Sequence, residues 1–179
     1  MPNPDTAEST ESGIATTPPD GVYEVDPEGS RLLFRAKAFA LAWVRGTIPV
    51  AGGTIRVADG RASGAGELTA DRITTGLAPR DWHLRSSHYL HTAKHPRIRV
   101  SVDNAPVGAA SIPCAAVVRG VSCITAFEIG AVEYTRGVLR VDGRLLLDRT
   151  PFPMLSPIAG VSRLVHMDLS IRATRQPNG

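Results

Sequence analysis

The sequence predicts an all-β domain of antiparallel strands, and three observations lead to this prediction. Apolar residues recur at every second position along much of the chain, which is the period of a strand with one buried face. Turn signals rich in Gly, Asp and Pro separate these segments at short intervals. The length of 179 residues suits one domain, and the 42% apolar and 21% charged content is typical of a globular chain.

The individual strands follow from this alternation. It is clearest at residues 98–103, 138–150 and 163–174, where aliphatic side chains face one way and polar side chains face the other. Each of these segments predicts a strand with one buried and one solvent-facing side. Further strands are predicted at residues 21–26, 31–37, 41–50, 54–58, 62–70 and 121–132.

The alternation leaves open how the strands assemble. Short turns between successive strands predict an antiparallel meander, which either stacks into a sandwich or closes into a barrel. Only closure fully removes exposed strand edges. A barrel of about eight strands is also wide enough to hold one small ligand inside.

One segment breaks the β pattern and predicts a short helix at residues 79–91. Pro79 suits the first turn of a helix, and Pro96 disfavours a helical conformation at His95. The uneven apolar side of this helix consists of Trp82, Leu84, Tyr89 and Leu90.

The ends of the chain and its overall composition narrow the function further. Residues 1–20 predict a flexible tail and residues 175–179 a frayed end, so the folded domain is expected at residues 21–174. The chain has no run of 18 apolar residues and no apolar secretory segment, so we expect no transmembrane segment and a cytoplasmic protein. A net charge of +3 is too small to predict a nucleic-acid partner. We expect Cys114 and Cys123 to be thiols, with a disulfide between them as the alternative.

Several short motifs follow one another along the chain. They are Tyr23-Glu24-Val25-Asp26 near the start, Arg80-Asp81-Trp82-His83-Leu84-Arg85-Ser86 followed by Tyr89 and His95-Pro96, Arg119-Gly120-Val121, and Asp148-Arg149-Thr150-Pro151-Phe152 near the end. Their order and spacing resemble the YceI-like family over roughly residues 21–174. The chain departs from that family's pattern at Gly29, Phe39 and Pro153, which bears on the head-group end of a ligand more than on the fold.

The resemblance implies a fold and a function. The fold is a lipocalin-like antiparallel barrel of about eight strands with a long apolar cavity, and it can form a homodimer. The ligand is an apolar amphiphile such as a polyisoprenoid or an isoprenoid quinone, held for storage or transport without catalysis or a further cofactor. Two alternatives stay open, namely a ligand-free barrel that binds a protein through a rim with Trp82 and Tyr89, and an enzyme acting on a lipid in the cavity.

Candidate ligand-binding residues fall into an apolar and a polar set. The apolar set, expected on the inner surface, is Phe34, Phe39, Trp43, Val100, Val102, Val141, Leu145, Phe152, Met154 and Met167. The polar set, expected at the mouth of the barrel, is Asp81, His83, Arg85 and Arg149. An Arg there suits a phosphate or quinone oxygen, although the polar residues can instead tie the helix to the barrel.

Other chemistries are poorly supported by the sequence. His91 and His95 have the i, i+4 spacing of a helical metal pair, but Pro96 predicts that the helix has ended there, so no metal site is expected. The chain has no Gly-x-Ser-x-Gly elbow. Gly64-Ala65-Gly66 lacks the strand–loop–helix setting of a nucleotide site.

Overall fold

The computed structural model describes residues 17–38, 42–154 and 161–177. Within these ranges the chain forms ten strands, a short α-helix and a 3-10 turn at Ala70–Arg72. The strands are β1 (Gly21–Val25), β2 (Arg31–Ala38), β3 (Ala42–Thr47), β4 (Val50–Ala58), β5 (Arg61–Thr69), β6 (Arg97–Pro106), β7 (Ser111–Val118), β8 (Val121–Thr135), β9 (Val138–Asp148) and β10 (Leu164–Arg175), and the helix is α1 (Ala78–Arg85).

The ten strand segments form eight strands of a closed barrel. β1 and β2 follow each other along one edge of β10, where Ala173 faces Val25 and Ser170 faces Arg31. On their other side β1 pairs with β4 and β2 pairs with β3. β1 and β2 together therefore act as one interrupted strand, and the β3–β4 couple acts as a second. The remaining neighbours run in the order β4-β5-β6-β7-β8-β9-β10, and every pairing is antiparallel. The predicted all-β barrel of about eight strands is confirmed, and closure excludes the sandwich.

The barrel has two different ends. Its lower end carries three short hairpin turns, between β4 and β5, β6 and β7, and β8 and β9. Its upper end carries the β7–β8 turn and two longer connections, the first of which contains α1. Arg119 in the β7–β8 turn donates hydrogen bonds to the carbonyl oxygens of Tyr89, at 2.7 Å, and Pro153. One guanidinium therefore joins the β5–β6, β7–β8 and β9–β10 connections and holds the α1 segment over the barrel.

The helix is shorter than the sequence predicts. It ends at Arg85 because Ser86 has extended backbone angles, and turns rather than helix occupy residues 87–90. His91 has a φ of 50°, which a helix cannot contain. No helix among the described residues is long and apolar enough to cross a membrane.

The ladder between β6 and β7 is much shorter than the two strands that form it. It joins residues 99–101 to 115–117, whereas the β7–β8 ladder runs the whole length of β7. Two positions beyond the last pair, Ser101–Ala115, the same register would bring Pro113 opposite Asp103, and proline has no N–H to donate there. On the other strand Asn104 has a φ of 46° and donates its N–H to Ser63 of β5 instead. The two strands therefore separate towards the lower end.

Candidate ligand-binding cavity

An apolar cavity of about 360 Å³ occupies the inside of the barrel. Its lining reaches from Phe152 and Leu90 at the upper end to Val107 and Gly108 at the lower end. The strands build it directly, because alternate side chains of each strand point inward. A volume of this size lies within the range of small-molecule sites.

The two sides of the lumen differ in bulk. Phe34, Phe127, Leu145 and Met167 crowd the wall formed by β2, β8, β9 and β10. The facing wall, formed by β4 and β5, includes a glycine wall made of Gly52, Gly64 and Gly66. The free space therefore lies against bare main chain on one side and against large side chains on the other.

Close approach of β4 and β5 restricts side chains at Gly64 and Gly66 of this wall and at the neighbouring Gly53. A side chain at Gly53 would place its Cβ 2.5 Å from the carbonyl oxygen of Ala65, which is closer than atoms can come. At Gly66 the nearest atom to such a Cβ would be the carbonyl oxygen of Gly52, at 3.2 Å. Gly53 is therefore required by the close approach of the two strands, whereas Gly64 and Gly66 allow a Cβ only in a tight fit, and the lumen keeps the space that side chains at these two positions would fill.

Most of the apolar residues singled out in the sequence do lie against the cavity. The described members of the set that line it are Phe34, Val100, Val102, Val141, Leu145, Phe152, Met154 and Met167. Phe39 lies outside the described residues. Trp43 lies elsewhere, on the outer face of the barrel with 47% of its surface exposed, because alternation along β3 places it on the same face as the exposed Arg45.

The polar residues of α1 hold the upper connection together rather than facing the lumen. Buried Asp81 accepts hydrogen bonds from the Thr74 hydroxyl at 2.8 Å, the Thr75 N–H at 2.7 Å and the Thr75 hydroxyl. Burial alone would raise the pKa of this carboxyl, but these bonds outweigh it and lower the pKa below 3.8. Arg85 donates to the Ile73 carbonyl at 2.7 Å, and exposed His83 packs its ring against Tyr89.

Arg149 is the predicted polar residue that the structure places at the cavity. It is 6% exposed and lines the upper end of the lumen. Its guanidinium donates to the carbonyl oxygens of Val161 and Ser162, each at 2.8 Å. The cation therefore holds the end of the β9–β10 connection while presenting positive charge beside an otherwise apolar space.

Part of the lining was missed in the sequence. β7 supplies Ile112, Cys114, Ala116 and Val118, yet no strand was predicted there because Pro113 interrupts a run without clear alternation. Phe127 was missed although it lies in a predicted strand, where its alternation with Glu128 gave a usable signal.

Both cysteines are free thiols, as expected, and the disulfide alternative is not adopted. They lie diagonally across two neighbouring strands, since Cys114 faces Thr125 and Cys123 faces Ala116. Burial raises the pKa of the Cys114 thiol above its ordinary value. Among the described residues no group of three His, Cys, Asp or Glu side chains is arranged to hold a metal ion.

Comparison with known proteins bears on the whole barrel. The sequence model of the YceI-like domain matches residues 23–173. BcnA of Burkholderia cenocepacia has a similar structure, with a TM-score of 0.71 and 13% identity over 84% of this chain and 99% of that chain. A polyisoprenoid binding domain from Saccharophagus degradans gives a TM-score of 0.66 and 18% identity over 86% and 98%. The Campylobacter jejuni YCEI protein gives a TM-score of 0.52 and 13% identity over 99% of this chain and 92% of that chain.

No curated protein gives a significant sequence match to the chain.

Proposed function

Because this chain belongs to the YceI-like domain family, we propose that its barrel binds the apolar chain of an isoprenoid or isoprenoid quinone for storage or transport. The observation behind the proposal is the closed barrel with an apolar lumen of about 360 Å³. A lumen of this kind suits a hydrocarbon chain, since it offers almost no hydrogen-bonding partners and excludes water from the chain.

The energetics favour uptake of such a chain. Transfer of apolar carbon from water contributes about 0.8 kcal/mol per CH₂, so each five-carbon isoprene unit contributes roughly 3–4 kcal/mol. Ordering the chain and losing its free motion offset much of that sum. No bond needs to be made or broken for this function, and we therefore propose that the barrel acts without catalysis.

The choice of an isoprenoid rests on two supports. The Saccharophagus degradans domain of similar fold is a polyisoprenoid binding domain. In addition, one wall of the lumen contains glycines, and methyl branches of an isoprenoid would meet main chain there instead of side chains.

We place the polar head of the ligand at the upper end, beside Arg149. Its guanidinium is buried at the lumen, and Arg is well suited to phosphate or quinone oxygens. Asp81, His83 and Arg85 would then act indirectly, by holding the α1 segment over that end. A cytoplasmic location, a homodimer and the absence of a nucleic-acid partner stay predictions from the sequence and the family.

The experiment is native mass spectrometry of the purified protein before and after loading with geranylgeraniol or a prenyl quinone. We expect a discrete added mass that organic extraction removes and identifies. The same spectrum gives the mass of the particle and so tests the homodimer. A folded protein that carries nothing and takes up neither probe would contradict the proposal and favour the protein-binding scaffold. Product formed from a bound probe would favour the enzyme.

Two neighbouring positions on β10 provide a matched pair of variants. Met167 lines the lumen, whereas Asp168 is exposed on the outer face. Met167→Trp should fill the lumen and weaken uptake of either probe at least tenfold, a loss of roughly 1.4 kcal/mol or more. Asp168→Trp should bind as the unsubstituted protein does. Circular dichroism of both variants confirms that the fold persists.

A further inference from the structure

The outer wall near the upper end carries a group of exposed residues, which we call the tryptophan face. Its apolar members are Trp43, Ile124, Leu146 and Leu164, and its cationic members are Arg35, Lys37 and Arg45. They belong to five neighbouring strands, β8, β9, β10, β2 and β3. With about 4.8 Å between strands, the face spans roughly 19 Å of the wall.

The apolar members are unusually exposed for their size. Ile124 is 75% exposed, Trp43 47%, Leu146 45% and Leu164 40%. Single exposed apolar side chains are ordinary, but neighbouring ones form a patch that marks a contact surface. Three of them lie around His166 of β10, since Leu146 faces it, the Trp43 ring packs 5.5 Å from its ring and Leu164 lies two residues away on the same face of the strand.

The cations lie directly beside these apolar groups. The Arg35 guanidinium lies 5.7 Å and the Lys37 ammonium 5.4 Å from the centre of the Trp43 ring. Arg35 also faces Arg45 across the β2–β3 ladder, and like charges in directly opposed positions destabilise a sheet. The ion pairs found among the described residues involve none of these three cations. An anionic surface would relieve this repulsion.

We propose that the tryptophan face docks the barrel on an anionic phospholipid bilayer. Tryptophan is enriched at the level of lipid head groups, and Lys and Arg beside it are attracted to anionic lipids. Trp and Arg occur at both bilayer and protein interfaces, so the choice of a bilayer rests on the Lys, which protein interfaces disfavour, and on the cluster of like charges, which an anionic surface neutralises. This contact is separate from the proposed ligand binding, although it would bring the upper end of the lumen close to a source of apolar lipids.

The test is sedimentation with vesicles of phosphatidylcholine containing phosphatidylglycerol, compared with vesicles of phosphatidylcholine alone. We expect binding to the anionic vesicles and its loss at about 1 M salt, where charges are screened beyond roughly 3 Å. In a Trp82→Phe background, the fluorescence of Trp43 should shift to shorter wavelength on binding. No sedimentation with anionic vesicles, or no shift of Trp43, would overturn the proposal.

Charge-matched variants distinguish vesicle binding through the tryptophan face from attraction by the overall positive charge. The triple variant Arg35→Gln, Lys37→Gln, Arg45→Gln should weaken vesicle binding at least tenfold. The control Arg56→Gln, Arg72→Gln, Arg140→Gln removes the same charge from exposed positions on other parts of the surface and should change binding less than twofold. Equal losses in the two triples would overturn the proposal, as would a second copy of the chain occupying the face in solution.

Vesicle binding can be tested independently of ligand binding. Met167→Trp closes the lumen without touching the outer wall, so its binding to anionic vesicles should equal that of the unsubstituted protein. Vesicle binding without ligand uptake would then reject the proposed function alone, and uptake without vesicle binding would reject the docking face alone.

Discussion

At the scale of single residues, neighbouring groups determine where charged and aromatic side chains lie. As a member of the apolar set, Trp43 is expected inside the barrel. Its alternation with Val44 placed it on the same face as Arg45, and this was the better signal. On the outside, Arg35 and Lys37 lie over its ring and make exposure tolerable. Hydrophobicity alone does not reveal such partners, since they come from another strand.

Asp81 gives a prediction at this scale. Asp81→Asn should lower the free energy of unfolding at pH 7 by about 1–2 kcal/mol, because the donors of Thr74 and Thr75 lose a charged acceptor. The pKa of Asp81 is lowered on folding, so its ionised form stabilises the fold above pH 3.8. That contribution is lost as the pH falls through the lowered pKa of the folded state.

Urea unfolding at pH 7 and at about pH 3 measures this contribution. The difference between the variant and the unsubstituted protein should shrink at the lower pH. Asp71→Asn at an exposed position is the control and should leave the stability nearly unchanged. An Asp81→Asn effect that is the same at both pH values would show that ionisation of this carboxyl does not stabilise the fold.

At the scale of elements, alternation identified nine of the ten strand segments and missed β7. Its proline and its run of small apolar residues resemble neither an alternating strand nor a helix. The proline is tolerated because the β6–β7 ladder ends before it, and a sequence without its partner strand cannot show this. For α1 the apolar residues Tyr89 and Leu90 favoured a helix that continued to residue 91. The helix ends at Arg85 instead, because Ser86 is extended and turns follow it.

The short β6–β7 ladder predicts uneven hydrogen exchange. Within residues 102–114, the amides that point into the gap between β6 and β7 should exchange at least tenfold faster than those in β9 and in the paired part of β10, whereas neighbouring amides that face β5 or β8 stay bonded. Exchange followed by mass spectrometry resolves these segments. The β4–β5 hairpin is the control, since its ladder continues to the turn. Equal protection in residues 102–114 and in β9 would show that the separated strands do not open more readily.

At the scale of the whole molecule, closure of the barrel depends on β1 and β2 filling the gap between β10 and the β3–β4 couple. The sequence predicted the strands and suggested closure through the absence of free edges and the family resemblance. It did not predict that two strands would be interrupted, because the shared edge of β10 brings together residues far apart in the chain. The lining was predicted well where a strand alternates and poorly on the glycine wall, where side chains are absent.

Tyr23 gives a prediction for closure as a whole. It is fully buried, lies between β4 and β10, and packs edge-on against Tyr134 with ring centres 6.1 Å apart. Tyr23→Ala should lower the free energy of global unfolding by about 3–5 kcal/mol. Tyr23→Phe keeps the ring and loses only the hydrogen bond to Pro19, so it should cost about 1 kcal/mol.

Urea unfolding followed by far-ultraviolet circular dichroism measures both variants. Because Tyr23→Phe differs from the unsubstituted protein only in the hydroxyl, it separates the packing of the ring from its hydrogen bond. A Tyr23→Ala protein as stable as Tyr23→Phe would mean that the ring does not secure the closure.

Mutation of the glycine wall can change the volume of the lumen in only one direction. Every substitution at Gly64 or Gly66 adds atoms to the lumen, and none can remove them. Drift at these two positions therefore narrows the range of acceptable ligands, while the opposite wall, with Leu145 and Met167, can change in either direction. A lineage that came to carry bulkier ligands would have to gain room by smaller side chains on the wall with Leu145 and Met167, because the glycine wall has no side chains to shorten.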